Sequence, residues 1–295
     1  MLYSGEKIMG KVFKGLICNN EISVAVLDTT DVVNEAINIH KLSPLSAAGL
    51  GRALTATAFM ATQLKDENFR LSVTISGDGI GGRIITAADG KLRIRGSIDN
   101  KQAFLPLKDN GKLDVSGLVG KGMMTVVKSL GLKEPYVGKC RVLSGEIAED
   151  FTAYYAYSEQ QPTAMALGVY IGKDGNALGA GGVVMQPLPN ASEESLSYAE
   201  NLASKFSDIS KQIYEKGING VLEEYFPNMS VEEYEPKYEC NCSREYIDKV
   251  LITVGKKELD ETIKERGIVE VSCEFCNKKY AYTRDDIDEL FKEKG

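Results

Sequence analysis

The sequence predicts an α+β protein in three parts. These are an N-terminal domain with a largely antiparallel sheet packed with helices, a helical linker, and a small C-terminal four-cysteine module. Three observations predict it. Short β-rich runs separated by turn residues fill most of the first 186 residues. An acidic segment with apolar residues at helical spacing follows. Four of the six cysteines then form two close pairs near the C-terminus. The predicted boundaries are 1–186, 187–236 and 237–295.

Composition and charge limit the classes of function. Hydrophobic residues make up 43% and charged residues 26% of the 295 residues, which is typical of a soluble globular protein. No run is long enough for a membrane span, and the N-terminal residues lack the apolar segment of a signal peptide, so we expect a cytoplasmic protein with no membrane partner. The net charge is −7, and residues 190–235 hold ten acidic residues against three lysines. This balance argues against a nucleic-acid partner, because phosphate backbones are bound mostly through Lys and Arg.

The first elements of the N-terminal domain are a predicted hairpin and two helices. The runs KVFKGLIC and EISVAVLD are β-rich and flank two asparagines. The segment DTTDVVNEAINIHK has capping residues followed by apolar positions at helical spacing. Ser43 and Pro44 then suit the N-cap and first position of a long apolar helix. Because that helix is rich in Ala, Leu and Met, we expect it to be mostly buried.

Seven short runs after these helices are predicted to be strands: FRLSVTIS, GRIITAA, KLRIRGSI, MTVVKSL, FTAYYAYS, TAMALGVYI and ALGAGGVVMQ. The glycine-rich stretch SGDGIGGRI precedes a strand-like run rather than a helix, so it is predicted to be a turn and not a dinucleotide loop. GLVGKGMMT lacks the spacing of a P-loop. With a single histidine, no convincing Ser–His–Asp or Cys–His arrangement is available, so we expect no enzyme.

The linker, residues 187–236, is predicted to be an acidic amphipathic helical segment. Glu193 and Glu194 lie in its first turn, Gly217 is a natural helix stop, and Pro227 ends a second short helix. Its apolar residues share one helical face, at positions 196, 199, 202, 203, 206, 209 and 213. The favoured interpretation is a helix packed on the first domain; the alternative is a surface that can be uncovered.

The two cysteine pairs follow the pattern C-x-C-x30-C-x2-C, at Cys240, Cys242, Cys273 and Cys276. Tetrahedral zinc takes four ligands, often as two close pairs from separate segments. A module of about sixty residues gains only marginal stability from a hydrophobic core alone, and a structural metal would supply the missing stability. We therefore expect one Zn²⁺ per chain, held by four thiolates.

The remaining cysteines and the single histidine are expected to lie outside that site. Cys18 and Cys140 stand alone beside apolar residues and are predicted to be plain buried residues. His40 is about two hundred residues from the pairs, so it is predicted to be a surface or capping residue rather than a ligand.

The chemistry of the pairs permits an oxidation-driven switch. A disulfide across one intervening residue is tight and reduces easily, and zinc-bound sulfur is the thiolate that oxidants attack. Structural zinc in small fingers is worth about 10–16 kcal/mol, which matches or exceeds the stability of an ordinary domain, about 5–15 kcal/mol. The residues leave other classes open: a thiol–disulfide oxidoreductase, or a zinc-stabilised nucleic-acid-binding or scaffold protein without redox switching.

The chain resembles the redox-regulated heat-shock chaperones of the heat-shock protein 33 family. The cysteine spacing, with Tyr280 shortly after the second pair, looks like the zinc switch of that family. The stretches SPLSAAGLGRALTATAFM, SGDGIGG, GEIAEDFTAYYAYSEQQPTA and AGGVVMQPLP look like its N-terminal domain. The resemblance covers essentially the whole chain in order.

The resemblance implies a chaperone that holds unfolding proteins without ATP and is inactive when reduced, zinc-loaded and monomeric. Oxidant together with unfolding stress would release zinc, form the disulfides Cys240–Cys242 and Cys273–Cys276, loosen the linker and allow a homodimer. The family's client contacts lie in the linker and the adjoining surface of the first domain. The linker residues that this implies here are Leu196, Leu202, Phe206, Ile209 and Ile213.

Overall fold

The structure, a computed structural model, describes residues 10–292. The chain divides into two compact units, the first ending at Glu239 and the second beginning at Cys240. The predicted α+β class is confirmed, but the strands of the first unit form two sheets rather than one. The division of the chain at residues 186 and 236 stays a prediction.

The first sheet has five strands, all paired antiparallel, in the order β10-β1-β2-β9-β8. In chain order they are β1 Lys11–Ile17, β2 Ile22–Asp28, β8 Ala164–Ile171, β9 Ala177–Pro187 and β10 Glu232–Tyr234. The predicted hairpin of β1 and β2 is confirmed. Its turn passes through Asn19 and Asn20 with φ of 53° and 65°, a left-handed backbone that asparagine tolerates better than most residues.

The second sheet has six strands in the order β11-β5-β4-β3-β6-β7, and only the short β11 pairs parallel to its neighbour. Its strands are β3 Arg70–Gly77, β4 Arg83–Asp89, β5 Arg93–Ile98, β6 Gly122–Ser129, β7 Tyr136–Arg141 and β11 Lys237–Tyr238. The sequence did not predict β7. The glycine-rich residues between β3 and β4 form a turn, as predicted, and the Gly79 N–H donates to the Val119 carbonyl at 3.0 Å.

Two helices, α1 (Thr30–His40) and α2 (Pro44–Ala61), confirm their predictions. The Ser43 side chain caps α2 by accepting from the Ser46 N–H at 3.3 Å. Every residue of α2 except Pro44 and Arg52 is buried, and the helix contacts strands of both sheets. It therefore forms the layer between them, which explains why it is apolar all round. Within residues 10–292, no helix is both long and apolar enough to cross a membrane.

The run FTAYYAYS was predicted to be a strand, and that prediction is wrong. After a short helix α3 (Val115–Val119), residues Ala148–Tyr154 form helix α4, which continues as a π-helix over Tyr155–Glu159. The aromatic side chains of Phe151, Tyr154 and Tyr155 are all buried. Their i, i+3, i+4 spacing puts them on one helical face, so packing overrides the strand preference of aromatic residues.

A buried carboxylate starts α4. Asp150 is fully buried, and its Oδ1 accepts from the N–H groups of Leu143, Ser144 and Gly145 at 2.7, 3.0 and 3.3 Å. Its Oδ2 accepts from the N–H of Ile147 at 2.9 Å. One side chain thus satisfies four backbone donors of the loop that enters the helix.

The linker forms α5 (Glu193–Ala203), a 3₁₀ turn (Ser204–Phe206) and α6 (Ile209–Tyr225). The predicted stop at Gly217 and the short helix after it are confirmed, because Gly217 has φ 67° and ψ 169° and interrupts α6. The break between α5 and α6 was not predicted. The linker helices cover the face of the first sheet opposite α2, so that sheet has helices on both faces.

The segment after α6 adds the edge strands β10 and β11, one to each sheet. The Tyr238 hydroxyl lies 2.9 Å from the Gly96 carbonyl and 3.2 Å from His40 Nε2, which is itself 3.0 Å from that carbonyl. His40 is only 3% exposed. The prediction of a surface position is therefore wrong, because the last turn of α1 packs on β5 and β11.

The second unit contains α7 (Arg244–Val254), α8 (Lys256–Arg266), β12 (Val269–Ser272), β13 (Lys279–Tyr282) and α9 (Arg284–Lys292). The predicted pair of helices on either side of Gly255, followed by a strand, is confirmed. Its small core consists of the buried side chains of Ile247, Leu251, Leu259, Ile263, Val269, Tyr280, Tyr282 and Ile287.

Candidate metal centre

Two short segments of the second unit position the four paired cysteines. Cys240 and Cys242 directly precede α7, which Ser243 caps by accepting from the Tyr246 N–H at 3.2 Å. Cys273 and Cys276 lie in the turn that joins β12 to β13. That turn is closed by two hydrogen bonds of 2.9 Å, from the Cys273 N–H to the Lys278 carbonyl and from the Asn277 N–H to the Cys273 carbonyl.

The four sulfurs converge on one point. The Sγ atoms of Cys240 and Cys273 are 3.6 Å apart, those of Cys242 and Cys276 are 3.4 Å apart, and all four lie within 4.8 Å of one another. Four thiolates about 2.3 Å from a tetrahedral zinc would lie about 3.8 Å from one another. The cluster could therefore hold a metal ion, and its donors and spacing suit a closed four-thiolate site.

The surroundings shift the pKa values of Cys240, Cys242 and Cys276 in different directions. Burial raises the pKa of Cys240, and it raises the pKa of Cys276 to about 11. For Cys242 burial also acts to raise the pKa, but hydrogen bonds from Tyr280 and from the neighbouring thiols outweigh it, and the pKa falls to about 7. Of the thiols of Cys240, Cys242 and Cys276, that of Cys242 ionises most readily. A bound cation would favour the thiolate form of its partners as well.

A tyrosine beside the cluster contacts one of its sulfurs, a role that the sequence analysis did not assign. The Tyr280 hydroxyl donates to Cys242 Sγ at 3.2 Å, and the side chain is 6% exposed. Strand β13 places Tyr280 and Tyr282 on the same buried face, since alternate residues of a strand point the same way. The position of Tyr280 four residues after Cys276, at the start of an alternating strand, was the available signal.

We expect the change Tyr280→Phe to weaken metal binding about 10- to 100-fold, the usual effect of losing a group that hydrogen-bonds a ligand. The phenyl ring keeps the packing, so only the hydrogen bond to the Cys242 sulfur is lost. A competitive chelator titration of the reduced protein measures the change in affinity.

Tyr282→Phe is the matched control for this change. Tyr282 is also buried on β13, but its hydroxyl donates to Asp248 Oδ1 at 2.7 Å and not to a sulfur. We expect its metal affinity to stay within about twofold of the unaltered protein. Equal losses in the two variants would show that Tyr280 acts through strand packing alone.

The isolated cysteines and the histidine lie apart from the cluster. Cys140 is buried, as predicted, and burial raises its pKa to about 11. Cys18 is only partly buried, which corrects the prediction, because it begins the turn after β1. Within residues 10–292, the cluster of Cys240, Cys242, Cys273 and Cys276 is the only group of at least three His, Cys, Asp or Glu side chains close enough to share a metal.

The five linker residues assigned to client contact lie together, but they are covered. Phe206 and Ile209 are each 1% exposed, and Phe206 packs against Tyr225 with ring centroids 5.0 Å apart. With Ile213 and Leu202, and with Leu196 at the margin, they pack on Val24, Val26, Val183 and Met185 of the first sheet. In this conformation the linker is the packed helix that the sequence favoured. Their role in client binding stays a prediction.

Comparison with known proteins agrees with this arrangement along nearly the whole chain. A sequence model of the family described as "Hsp33 protein" matches residues 10–283. The chain belongs to the Hsp33 family. A protein named 33 kDa chaperonin from Ruminiclostridium cellulolyticum is 41% identical over 273 residues, covering 90% of this chain and 92% of that protein. The 33 kDa chaperonin of Acetivibrio thermocellus is 42% identical over 268 residues, with 90% of each chain covered.

A solved relative has the same fold. The crystal structure of the 33 kDa chaperonin (heat shock protein 33 homolog) of Thermotoga maritima superposes with a TM-score of 0.88 at 35% identity, covering 97% of this chain and 99% of that one. This Hsp33-family chain is therefore a chaperone and not an enzyme, as the sequence predicted. Membership of a chaperone family implies that it binds unfolded client proteins.

Proposed function

We propose that this Hsp33-family chain is a redox-regulated, ATP-independent holdase of the cytoplasm, which binds unfolding proteins under oxidative and heat stress. One observation carries the proposal: four thiols from two segments meet within 4.8 Å in a unit that has a small core of its own. In a reducing compartment these thiols remain free to bind a metal.

We assign the bound metal as one Zn²⁺ per chain, held by Cys240, Cys242, Cys273 and Cys276. Four sulfur donors with no carboxylate or histidine among them favour zinc over the hard cations, which prefer oxygen ligands. The metal would stabilise the second unit, because about fifty residues bury too little apolar surface for independent stability. The role of zinc in this state is structural.

Oxidation removes that support. At each cysteine pair one peroxide accepts two electrons from the two thiolates, a sulfur–sulfur bond forms, and with two protons from solvent the two oxygens leave as water. The proposed bonds join Cys240 to Cys242 and Cys273 to Cys276, and two peroxides complete both. A disulfide sulfur is a poor zinc ligand, because only the thiolate binds zinc strongly. Without thiolates the four cysteines could no longer hold zinc, and the second unit would lose the stability that the metal supplies.

Loss of the second unit would loosen the linker and change what the first unit exposes. The side chains that α5 and α6 bury against the first sheet would become available to unfolded clients and to a second copy. In this proposal the reduced, zinc-loaded protein is a poorly active monomer, and the activated protein is a homodimer. Binding needs no ATP, in agreement with a chain that has no P-loop spacing.

One experiment tests the proposal. Zinc-loaded protein is treated with peroxide at heat-shock temperature, released zinc is followed with a colorimetric chelator, and light scattering of a thermally unfolding client is recorded without ATP. We expect zinc release and suppression of scattering to rise together and to reverse with dithiothreitol. Zinc release without suppression would mean a structural site in a scaffold protein. Equal suppression by reduced, zinc-loaded protein at low temperature would refute the redox switch.

A further inference from the structure

The two sheets of the first unit end in four edge strands, and one edge lacks the usual protection. Exposed edges are normally shortened or charged, so that they do not pair with other chains. Strand β10 has three residues, two of them glutamates, and β11 has two residues. Strand β7 carries Lys139 and Arg141. Strand β8 has eight residues, AMALGVYI, with no charge and no proline.

Strand β8 is partly accessible on both sides of its buried centre, Gly168. Every residue of β8 except Gly168 keeps partial or full exposure, whereas its neighbour β9 is buried at nine of eleven positions. Of the strands described within residues 10–292, β8 pairs with β9 alone. Among residues 10–292, no hydrogen bond joins the main chain of β8 to any element except β9. In an antiparallel pair, alternate residues point their N–H and C=O groups away from the partner, so β8 presents a row of free donors and acceptors.

A groove runs along this free edge. Two adjoining cavities of about 440 and 370 Å³ share the side chains of Arg52, Lys112, Leu113, Leu167 and Ser207. Helix α2 and the residues around Lys112 form one wall, and the start of α6, at Asp208 and Lys211, forms the other. These walls continue the helical layers on the two faces of the first sheet. An added strand would extend that sheet between them.

The side chains of β8 suit an apolar occupant. Leu167, Val169 and Ile171 pack toward the core that contains α2, and Ala164 and Ala166 toward the cluster that contains the linker helices. An incoming strand would therefore meet apolar surface on both faces. Alternating side chains of an extended segment fit such an edge, as in other cases of strand addition.

The charge of the rim favours acidic residues beside the apolar segment. Arg52 is paired with Glu146 at 2.8 Å. Lys112 has no ion-pair partner in the part of the chain that the structure describes. Lys211 forms a long ion pair with Glu215, in which Nζ and Oε1 are 3.6 Å apart. The chain as a whole carries a net charge of −7. The lining also holds three carboxylates, Glu146, Glu149 and Asp208, against four positive side chains, Arg52, Lys108, Lys112 and Lys211. The excess of one positive charge and the two weakly paired lysines are complementary to a single carboxylate that flanks an apolar segment.

We propose that β8 accepts an extended apolar segment of an unfolding protein, flanked by an acidic residue, as an added strand of the first sheet. The inference rests on the proposed function and names a binding mode for its clients. Main-chain hydrogen bonds suit a chaperone, because every unfolded polypeptide carries the same donors and acceptors. The groove is present while α5 and α6 are packed, so a short peptide tests it in the zinc-loaded protein, whereas whole clients would also need the surface that α5 and α6 cover until activation.

The test uses one parent peptide and two N-methylated derivatives of it, which are isomers of each other. The probe is acetyl-Val-Thr-Ile-Val-Thr-Asp-amide; one isomer is methylated at the first, third and fifth amides and the other at the remaining three. In an extended peptide these two sets of N–H groups lie on opposite edges. Strand addition uses one edge, so we expect one isomer to lose at least tenfold in affinity and the other to bind like the parent. Equal binding by both isomers would overturn the proposal.

Hydrogen exchange of β8 supplies a second readout. We expect alternate amides of β8 to gain protection when the parent peptide binds, while β7 amides do not change. Variants at two matched tyrosines, each on an edge strand, complete the test: Tyr170 on β8 is 37% exposed and Tyr136 on β7 is 39% exposed. Tyr170→Glu is expected to weaken peptide binding at least tenfold and Tyr136→Glu less than twofold. Equal weakening, or unchanged β8 exchange, would contradict the assignment.

The peptide-binding test of strand addition at β8 and the client-aggregation test of the proposed holdase can fail independently of each other. If activated protein suppresses client aggregation while both methylated isomers bind alike, the holdase stands and strand addition at β8 is wrong. If aggregation is not suppressed, the proposed function fails, whatever the peptides show.

Discussion

Replacing Cys273 with serine is expected to leave the second unit without metal and unfolded. Cys273 is 8% exposed, and its sulfur is one of the four donors of the cluster. A hydroxyl is a much weaker zinc ligand than a thiolate, and structural zinc contributes about 10–16 kcal/mol in small fingers. The eight-residue core of this unit cannot replace that contribution. Metal content should fall from the proposed one ion per chain to near zero, and amides of residues 240–292 should exchange rapidly.

Cys18→Ser is the matched control, since it also removes one thiol. Cys18 is partly buried and lies in the first unit, outside the cluster. Its metal content and the exchange of residues 240–292 should equal those of the unaltered protein. The melting transition of the first unit should persist in both variants, which separates local unfolding from general misfolding. A Cys273→Ser protein that kept slow exchange after chelation would show that the core, not the metal, stabilises this unit.

We expect Asp150→Ala to destabilise the first unit by about 3–5 kcal/mol, the range seen when one partner of a buried, fully bonded group is removed. Its carboxylate accepts from four backbone N–H groups, and methyl cannot accept from any of them. Each buried donor left without a partner costs about 1–3 kcal/mol before water enters. At about 2–4 °C per kcal/mol, the melting temperature should fall by about 10 °C. Thermal unfolding followed by circular dichroism measures it.

Glu149→Ala tests whether burial and bonding, rather than charge near a helix N-terminus, produce this effect. Glu149 precedes Asp150 in the first turn of α4 and is exposed. Its removal should change stability by less than about 0.5 kcal/mol, as is usual for surface sites. If both variants lost the same stability, the four hydrogen bonds would not be the cause.

Local signals in the sequence were sufficient wherever one residue type decides the backbone. Ser43 and Pro44 marked the start of α2, and Gly217 marked a break, because capping and left-handed geometry depend on few neighbours. The cysteine spacing alone indicated which four thiols meet. Metal ligands are a strong signal, since four specific side chains at short separations rarely occur by chance.

Predictions failed where distant packing decides the outcome. The sequence predicted a strand at Phe151, Tyr154 and Tyr155 because aromatic residues favour sheets. Nothing in the local sequence shows that the Asp150 carboxylate will accept hydrogen bonds from four N–H groups of preceding residues. The split into two sheets follows from an apolar helix, α2, that contacts both, and a sequence pattern does not reveal which strands pair across it. His40 is buried for the same reason: its partners, Gly96 and Tyr238, are 56 and 198 residues away.

The end of the first unit has a consequence for timing. The last hydrogen bond of that unit is donated by the Glu239 N–H to the Ile94 carbonyl at 2.9 Å, and the next residue is Cys240. Cys240, the first cysteine of the cluster, therefore directly follows a hydrogen-bonded residue, with no unbonded residue between them. If the chain detached from the sheets starting at Cys240, it would first lose the pairing of the two residues of β11, then that of the three residues of β10, and only then would α6 be affected. The linker release that we propose would therefore follow an order from the C-terminal end, in which the Glu239 hydrogen bond breaks first and the Tyr238 hydroxyl leaves the Gly96 carbonyl next.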